Sequence, residues 1–519
     1  MEIVENKALL IETTQANLIT DSIKKSAVIG TDGSKTKVLV RWGLEEAQTL
    51  AALQYKDTPS PILRDYQWTG KLTPFEHQKT TASFLTVHER AFCFNEQGTG
   101  KTASVIWAAD YLMKKGLVSR VLVLCPLSIM KSAWQQDLFK FAMHRSCSVA
   151  HGDSKQRKKI IAAGAEFVII NFDGVGVVKE DILNGGFDLI VVDEANAYKN
   201  PQTNRWKILN EIVKTTSPRL WMLTGTPAAQ SPLDAYGLAK LVNTTNAPKY
   251  YSHFRAETMM RITAFKWVPK PGSDKIVHKA LQPAIRFEKK DCLDLPELTY
   301  VEREAPLTPQ QRKYYNTLKN ELLVEAQGEE VSAVNAATKI NKLLQISGGA
   351  VYTDTGEVLE FDITNRMNAV LEVIEEASHK ILVFVPFTHT IELLRDRLVK
   401  EGISCDVING AVPPNKRADI VERFQKDKDP HVLLLQPQAA SHGLTLTAAD
   451  TIIWYSPITS VETYLQANAR INRPGQKNAM TIVHIRGSEV ENRLYTMLQS
   501  NITNHERIID LYRDVLNTP

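Results

Sequence analysis

The sequence predicts an α/β protein with two parallel-sheet domains in tandem and helical insertions. Two groups of short strands, rich in β-branched and other apolar residues, carry this prediction, and helix-like segments separate the strands within each group. Parallel strands joined by helical crossovers show this alternation. The strands of the first group begin at Arg120, Phe167, Asp188 and Arg219, and those of the second begin at Lys380, Cys405, His431, Asp450 and Met480.

The chain of 519 residues is long enough for about three domains of ~150 residues each. Its sequence pattern predicts five segments. The first ~70 residues show little periodicity beyond VLVRW and a helix-like LEEAQTLAAL. Between the two strand groups a helix is predicted to start, with Thr308 as N-cap, Pro309 at the first position and Gln311 completing a capping box. The segments are an N-terminal accessory region (1–70), the first core (71–245), helical insertions and a linker (246–365), the second core (366–500) and a C-terminal helical tail (501–519).

Composition and charge exclude several classes of protein. The 62 basic and 58 acidic side chains leave a net charge of only +4, so any nucleic-acid footprint must be local. The five cysteines form no CxxC pair, which excludes a zinc ribbon and gives no disulfide framework. The N-terminus carries acids where a signal peptide needs basic residues, and no apolar run approaches the ~20 residues that span a bilayer. We therefore expect a soluble protein of a reducing, intracellular compartment.

A glycine-rich turn in the first core has the pattern of a triphosphate-binding loop. In FNEQGTGKTASV an apolar stretch ends, the chain turns through Gly98 and Gly100, and a helix begins at Lys101 and Thr102. Glycines let backbone N–H groups approach the phosphates, the lysine reaches the β and γ oxygens, and the threonine hydroxyl ligates magnesium. Asn95 stands where the strict pattern has glycine or alanine. On its own, the segment GTGKT also fits an ordinary loop.

Two adjacent carboxylates follow another strand of the same group. In DLIVVDEANAYKN the strand delivers Asp193 and Glu194 at its carboxyl end. In phosphoryl transfer the first carboxylate holds the magnesium shell, and the second orients and deprotonates the attacking water. An acidic pair favoured by a helix dipole explains the same residues without any chemistry. The combination with Lys101 favours the nucleotide site.

A basic segment near the end of the second core is predicted to face a phosphate. In YLQANARINRPGQ, spacings of four and three place Gln466, Arg470 and Arg473 on one helical face. Such a row can point guanidinium groups at a γ-phosphate bound by the other domain. A solvated helix face is the alternative.

The order of these motifs resembles that of Swi/Snf-type ATPases, the branch of helicase superfamily two that translocates on double-stranded DNA, and in particular its compact bacterial or viral members. The resemblance runs from about Leu72 to Leu494. TPFEHQ resembles the adenine-reading segment, and within it Thr73 and Glu76 form a predicted capping box that starts a helix. The other matching segments are VLVLCPLSIMKSAW, FVIINFD, DEANAYKN, LTGTP, HGLTLTAAD and QANARINRPGQ.

The resemblance implies two RecA-like domains and the use of ATP with Mg²⁺. The implied catalytic residues are Lys101, Asp193, Glu194, Arg470 and Arg473. The implied ATP-binding residues are Gln78, Asn95, Gly98, Thr99, Gly100, Lys101, Thr102 and Gln466, with Thr102 and Asp193 at the metal. The implied DNA contacts are Ser128, Lys131, Asn171 and Thr445.

Some positions depart from the family pattern. Asn196 replaces the family's histidine, and Ser441 and His442 stand where glycine and leucine are commoner. The basic run 155–159, KQRKK, could grip phosphates but also fits a solvated loop. Trp134, the last residue of VLVLCPLSIMKSAW, could lie along the DNA path together with Lys131, but its helical spacing favours packing in the core or within the motif.

The resemblance implies a DNA-dependent ATPase that couples hydrolysis to movement on duplex or branched DNA, in replication, recombination or repair. A strand-separating helicase, an RNA-directed ATPase and a non-enzymatic ATP-binding scaffold stay open as alternatives. We expect a monomer that binds DNA and no membrane, with a possible protein partner at the N-terminal region. Its compartment is expected to be the cytoplasm of a bacterium or of a virus-infected cell, or the nucleus if the source is eukaryotic.

Overall fold

The computed structural model describes residues 1–70, 72–127, 129–225, 227–228, 231–262, 267–292, 296–326, 333–352, 357–440, 444–473 and 475–500. These residues form two compact units, one containing the chain up to Ala228 and nearly all of 232–293, the other most of the chain from 294 onward. Each unit contains one parallel sheet, which confirms the predicted α/β class with two parallel-sheet domains. Within the described ranges, every helix is too short or too polar to traverse a bilayer.

The first unit begins with a small antiparallel sheet in the order β1-β2-β4-β3. Its elements are β1 (Glu2–Val4), β2 (Ala8–Thr13), α1 (Ala16–Ser22), β3 (Ser26–Asp32), β4 (Lys35–Arg41) and α2 (Leu44–Ala52). Leu9, Val38 and Trp42 pack with Ile19 of α1 in a core of their own. The predicted strand and helix of this region correspond to β4 and α2, whereas the other strands were not predicted.

A seven-stranded parallel sheet forms the centre of the first unit, in the order β13-β5-β10-β9-β6-β8-β7. The elements that follow α2 are α3 (Ile62–Asp65), α4 (Glu76–Val87), β5 (Arg90–Cys93), α5 (Lys101–Lys114), β6 (Val121–Cys125), a π-helix (Met130–Gln135), α6 (Gln136–Phe141), β7 (Cys147–Ala150), α7 (Ser154–Ala162), β8 (Phe167–Asn171), α8 (Phe172–Val177), α9 (Lys179–Leu183), β9 (Leu189–Asp193), a 3₁₀-helix (Ala195–Tyr198), α10 (Asn204–Thr216), β10 (Arg219–Leu223), α11 (Asp234–Val242), α12 (Tyr251–Thr258), β11 (Met259–Arg261), β12 (Trp267–Pro269), α13 (Ser273–Ala280), β13 (Ala284–Ile285) and α14 (Lys289–Cys292).

Both faces of this sheet are covered. Leu122 and Leu124 of β6 pack in one hydrophobic cluster, while Val121, Val123 and Cys125 pack in another. Alternation along a strand sends neighbouring side chains to opposite faces. The near-continuous apolar strands of the sequence therefore follow from burial on both sides.

The second unit contains a six-stranded parallel sheet in the order β14-β21-β20-β17-β19-β18. Its elements are β14 (Leu298–Glu304), α15 (Pro309–Ala326), α16 (Ala333–Gly348), β15 (Ala350–Tyr352), β16 (Val358–Glu360), α17 (Thr364–Glu376), β17 (Lys380–Phe384), α18 (Thr388–Lys400), β18 (Cys405–Ile408), α19 (Pro414–Lys426), β19 (Val432–Leu435), α20 (Pro437–Ala440), β20 (Ala449–Trp454), α21 (Val461–Asn468), β21 (Met480–Arg486) and α22 (Glu489–Gln499). All nine strands predicted from the two groups are present.

The range 246–365 differs from the predicted helical insertions and linker, because it supplies strands to both sheets. β13 pairs with β5 in the first sheet, and β14 pairs with β21 in the second. The predicted helix start is confirmed: the Thr308 N–H donates to Gln311 Oε1 (3.1 Å), and the Gln311 N–H donates to Thr308 Oγ1 (3.4 Å). The predicted C-terminal tail (501–519) lies outside the described residues.

Candidate functional site

Sheet register brings the candidate residues of the first unit to one edge. Cys93 of β5, Leu223 of β10 and Asp193 of β9 are Cα partners across three adjacent strands. Since adjacent strands lie ~4.8 Å apart, the glycine-rich loop after β5 starts about 10 Å from Asp193. Asn171 of β8 pairs with Cys125 of β6 at the same edge. Ligands of open α/β sheets bind outside the carboxyl ends of the strands.

The glycine-rich loop has the backbone that a phosphate site requires. Gly98 and Gly100 have φ values of 86° and 80°, in the left-handed region that favours glycine. A Cβ at Gly100 would lie 2.1 Å from Gln78 Nε2. The helix α5 starts at Lys101, as the pattern predicts. Lys101 Nζ donates to the carbonyls of Asn95 (2.8 Å) and Glu96 (3.2 Å), so the ammonium group lies within the loop.

Two side chains of helix α4 hold the glycine-rich loop by hydrogen bonds. Gln78 Nε2 (3.1 Å) and His77 Nε2 (2.8 Å) both donate to the carbonyl of Thr99. Gln78 Oε1 accepts from the backbone N–H of Phe75 (3.0 Å), which is the N-cap of α4. The predicted capping box of Thr73 and Glu76 is therefore wrong: α4 begins at Glu76, and Gln78 supplies the cap instead. The role of Gln78 toward adenine stays a prediction, since both polar ends of its carboxamide bind protein atoms.

Asn95 and Thr99 are buried parts of this support. Asn95 Nδ2 donates to Thr81 Oγ1 (2.8 Å), and Asn95 Oδ1 accepts from the Phe287 N–H (3.0 Å). Thr99 Oγ1 donates to the Glu96 carbonyl (2.7 Å). Each residue is 1% exposed and its polar side-chain group bonds to protein atoms, and the contact of either with a nucleotide stays a prediction. The Asn95 amide thus joins the segment after β5 to α4 and to the segment after β13.

Asp193 is a half-buried carboxylate with two hydrogen bonds. Its Oδ2 accepts from the indole N–H of Trp134 (2.9 Å), and its Oδ1 accepts from the backbone N–H of Glu194 (3.0 Å). Burial raises the pKa of Asp193, and the nearby positive charge of Lys101 and the two hydrogen bonds oppose that rise. Glu194 itself is at φ 54° and ψ 55°, a left-handed conformation that is uncommon for a residue with a side chain. Such strain is often found at functional sites.

Trp134 is the residue that sequence reasoning missed. Its interpretation as core packing is correct for the ring, which is fully buried. Its N–H, however, bonds to a candidate catalytic carboxylate 59 positions further along the chain. No local periodicity reveals such a contact. The π-helix that carries Trp134 is a conformation found frequently at functional sites.

The donor set at this edge fits Mg²⁺. Within the described part of the chain, no cluster of three or more His, Cys, Asp or Glu side chains could hold a metal ion. Mg²⁺ is usually bound through one or two carboxylates together with substrate phosphates and waters, rather than by an all-protein cage. Asp193 could contribute its carboxylate, and Thr102, half-buried in the first turn of α5, could contribute its hydroxyl.

The predicted DNA contacts of the first unit differ in exposure. Lys131 is exposed on the π-helix. Asn171 is half-buried, and its Oδ1 accepts from Arg157 Nη1 (2.9 Å). Within the basic run, the three lysines are exposed on α7. Arg157 is buried and donates to the carbonyls of Ala150 and Gly152, so it holds the end of β7 rather than a phosphate. Ser128 lies outside the described residues.

The arginines of the second unit lie beyond a helix rather than on it. Helix α21 ends at Asn468, so the prediction of one helical face for Gln466, Arg470 and Arg473 is wrong. Arg470 is 2% exposed, and its guanidinium donates to the carbonyls of Gln466 (2.9 Å) and Leu444 (2.9 Å). These bonds satisfy a carbonyl near the helix end, where no helical partner remains.

Arg473 has different surroundings. It is half-buried, its Nε donates to the Ala469 carbonyl (2.8 Å), and its Nη1 donates to Thr445 Oγ1 (3.2 Å). Thr445 is exposed. The structure thus brings a predicted arginine finger and a predicted DNA contact together within the second unit. Gln466 is buried, and Ser441 and His442 lie outside the described residues.

Comparison with known families decides the assignment. Residues 77–349 match the family described as SNF2-related domain, and residues 365–475 match the one described as helicase conserved C-terminal domain. The chain belongs to the SNF2-related family. The predicted resemblance is confirmed. The nucleotide edge, formed by residues 95–102, Asp193 and Glu194, lies within the first matched region, and the arginine segment, residues 466–473, lies within the second.

The relatives of this SNF2-related chain include an animal protein and a phage protein. It is 25% identical to the mouse protein "Chromodomain-helicase-DNA-binding protein 1-like" over 87% of this chain and 51% of the relative. It is 26% identical to "Putative protein p41" of Acyrthosiphon pisum secondary endosymbiont phage 1, over 78% of this chain and 90% of that protein. The chain therefore spans about half the length of the mouse relative.

A solved structure, titled "Sulfolobus solfataricus SWI2/SNF2 ATPase core in complex with dsDNA", is also similar. The sequence identity is 23%, the TM-score is 0.42, and the match covers 83% of this chain and 92% of that chain.

Proposed function

We propose that this SNF2-related chain is a DNA-dependent ATPase that couples ATP hydrolysis to movement along duplex or branched DNA. One observation carries the proposal: register across β5, β10 and β9 places Lys101, in a glycine-rich loop at a helix N-terminus, at the same sheet edge as Asp193. Backbone N–H groups and a lysine bind phosphates in such loops. Membership in the SNF2-related family supports the same class of activity.

In the first unit, each residue of the nucleotide edge has a separate role. Lys101 binds the β- and γ-phosphates, while the backbone of Gly98 to Gly100 cradles them. Thr102 and Asp193 hold Mg²⁺, which when bound supplies positive charge to the developing phosphate oxygens. Glu194 orients the attacking water and accepts its proton.

In the second unit, Arg473 supplies positive charge to the γ-phosphate during hydrolysis. Its guanidinium is half-buried rather than enclosed, and one of its hydrogen bonds is to the exposed Thr445. A DNA contact at Thr445 would therefore act directly on the arginine. Arg470, with its guanidinium buried on two backbone carbonyls, supports the segment instead.

DNA would be bound through phosphate contacts. The candidates in the first unit are Lys131 and the exposed lysines of α7, and the candidate in the second is Thr445. Backbone contacts of this kind read no sequence and depend strongly on salt. We also infer that the N-terminal antiparallel sheet is an accessory module for a partner protein and that the protein works as a monomer. Its compartment would be the cytoplasm of a bacterium or of a virus-infected cell, or the nucleus if the source is eukaryotic.

The test is the steady-state ATPase rate of the full chain with a panel of nucleic acids. Duplex, forked, Holliday-junction and single-stranded DNA are compared with RNA at one salt concentration. We expect stimulation by duplex or branched DNA and little by RNA. Equal stimulation by RNA would favour an RNA-directed ATPase, and ATP binding without turnover on any of them would favour a scaffold.

A second pair of assays separates movement on a duplex from strand separation. Displacement of a third strand from a triplex reports movement along an intact duplex, and release of a labelled strand reports unwinding. We expect triplex displacement without unwinding. Lys131→Ala should weaken duplex binding and reduce its salt slope by ~1, whereas Lys140→Ala, an exposed lysine on α6 outside the motif, should not.

A further inference from the structure

The contact between Trp134 and Asp193 joins two elements of the first unit. The π-helix Met130–Gln135 follows β6, and Asp193 ends the neighbouring strand β9. The indole is fully buried in the hydrophobic cluster that covers one face of the sheet. Its only polar atom points at the carboxylate, with Nε1 2.9 Å from Oδ2. A buried indole N–H needs a partner, and here the partner is the candidate metal ligand.

The two oxygens of Asp193 are held from different directions. Oδ1 accepts from the backbone N–H of the next residue, Glu194, and Oδ2 accepts from the indole. The bond from the Glu194 N–H joins two neighbouring residues, so it does not tie the carboxylate to another element. The second bond, from a rigid ring packed in the core, fixes the plane of the carboxylate. Each carboxylate oxygen has two lone pairs, so capacity remains for a cation or its waters.

We propose that Trp134 is a positioning residue, which orients the Asp193 carboxylate for the metal–nucleotide complex. This inference rests on the proposed function, because it presumes that Asp193 serves the metal. Groups that bond to metal ligands typically matter almost as much as the ligands, and their loss costs 10- to 100-fold in metal affinity or activity. The role follows from geometry in this chain and needs no direct contact between Trp134 and the nucleotide.

A matched control exists in the same hydrophobic cluster. Trp107 is 1% exposed, and its Nε1 donates to the Thr69 carbonyl at 2.8 Å. Trp134→Phe and Trp107→Phe therefore each remove an indole N–H bond and part of a ring from one core. Only the first removes a bond to Asp193. Comparable losses of melting temperature in the two variants would show that the fold is affected alike.

The experiment measures Mn²⁺ binding to the full chain with a non-hydrolysable ATP analogue, by the electron paramagnetic resonance signal of free Mn²⁺. We expect Trp134→Phe to weaken Mn²⁺ affinity ~10-fold and Trp107→Phe to leave it unchanged. In an Asp193→Asn background, Trp134→Phe should have no further effect, because the two residues act as one unit. The Mg²⁺ concentration for half-maximal ATPase should shift in the same direction.

Three outcomes would overturn or limit the inference. Equal Mn²⁺ affinity in Trp134→Phe and Trp107→Phe would overturn it while leaving the proposed function intact. A wild-type chain that binds no Mn²⁺–nucleotide would overturn both. If Trp134→Phe lowers the melting temperature more than the control does, β-(3-benzothienyl)alanine at position 134 keeps the bicyclic shape and removes only the N–H. Normal Mn²⁺ affinity in that variant would overturn the inference.

Discussion

The nucleotide edge of the first unit and the arginine segment of the second differ in how firmly their side chains are held. Asp193 and the loop around Lys101 are held by buried contacts, from Gln78, Asn95 and Trp134. Arg473 lies beyond the end of a helix and bonds to an exposed threonine. Preorganised groups cost little reorganisation when charge develops, whereas a residue that responds to DNA must be able to change partners. The proposed function accordingly assigns nucleotide binding to the first region and the response of hydrolysis to DNA to the second.

The largest expected effect tests the nucleotide edge. Lys101→Ala should lower ATP turnover by ~10³ or more, because it removes a phosphate-binding cation. The fold should persist, since the Lys101 ammonium group donates to loop carbonyls and packs in none of the hydrophobic clusters of the described residues. Steady-state ATPase and a melting curve are the measurements, with Lys140→Ala as control. Wild-type turnover in a correctly folded variant would contradict the assignment of the loop.

The next prediction tests the arginine segment. Arg473→Ala should lower DNA-stimulated turnover by ~10³, as removal of an arginine finger does, while DNA binding keeps its normal salt slope. ATPase rates and DNA-binding isotherms at several salt concentrations, on one preparation, measure both properties. A variant that loses DNA binding but keeps its full ATPase would show that Arg473 is a phosphate-backbone contact.

Arg470→Ala sharpens the same comparison. Its guanidinium is buried on the carbonyls of Gln466 and Leu444, so truncation leaves buried acceptors without their donor. The melting temperature should fall, and it should fall more than in Arg473→Ala. Equal melting temperatures, with turnover lost in both, would instead make the two arginines a catalytic pair.

Glu194→Gln tests whether the nucleotide edge separates binding from chemistry. The amide keeps the size of the side chain but removes the base, so hydrolysis should fall ~10²- to 10⁴-fold while ATP binding persists. Equilibrium binding of a labelled nucleotide and single-turnover hydrolysis measure the two properties separately. Loss of binding with chemistry retained would refute the role given to Glu194.

The same contrast explains how far the sequence could be read. Strands buried on both faces leave continuous apolar runs, so all nine strands of the two groups could be predicted, and so could the helix start at Lys101. In the antiparallel sheet only β4 was predicted: β1 has three residues, and most residues of β3 are exposed, so neither strand has a strong apolar pattern. β13 was missed because two residues carry no periodicity.

The site itself could be predicted only where the signal is local. Glycines, a lysine and paired acids stand in consecutive positions, and their spacing is visible in the sequence. The bond from Trp134 to Asp193 depends on a π-helix and on strand pairing, which no local pattern gives. The end of α21 before Arg470 had a signal in the downstream Pro-Gly, since proline disfavours helix in the residue before it. The spacing of Gln466 and Arg470, four residues apart, is typical of a continuing helix and outweighed this signal in the prediction.

The smallest expected effect concerns stability rather than chemistry, and it lies at the far end of the helix that Lys101 begins. Asp110 of α5 is fully buried, and it accepts hydrogen bonds from Tyr66, Arg145 and His144. Burial alone would raise the pKa of Asp110, but the hydrogen bonds from these groups and from Lys114 outweigh it and lower the pKa to about 2. Because the folded-state pKa lies below the unfolded-state value, this carboxylate stabilises the fold at neutral pH, and the contribution is lost as the pH falls toward about 2.

Asp110→Asn should therefore lower the first thermal transition of the full chain by ~4 to 8 °C at pH 7, which corresponds to about 2 kcal/mol. The deficit should shrink as the pH falls from neutral toward 3, because the wild-type carboxylate is then partly protonated in the unfolded state. Asp173→Asn is the control, since that carboxylate is 80% exposed in its ion pair with Arg205 and such pairs contribute little. Turnover of Asp110→Asn below its melting temperature should match wild type, because the network anchors α5 without touching the phosphate loop. If turnover fell along with stability, the loop would depend on the whole helix for its geometry, and the nucleotide edge would be less independently held than its buried contacts indicate.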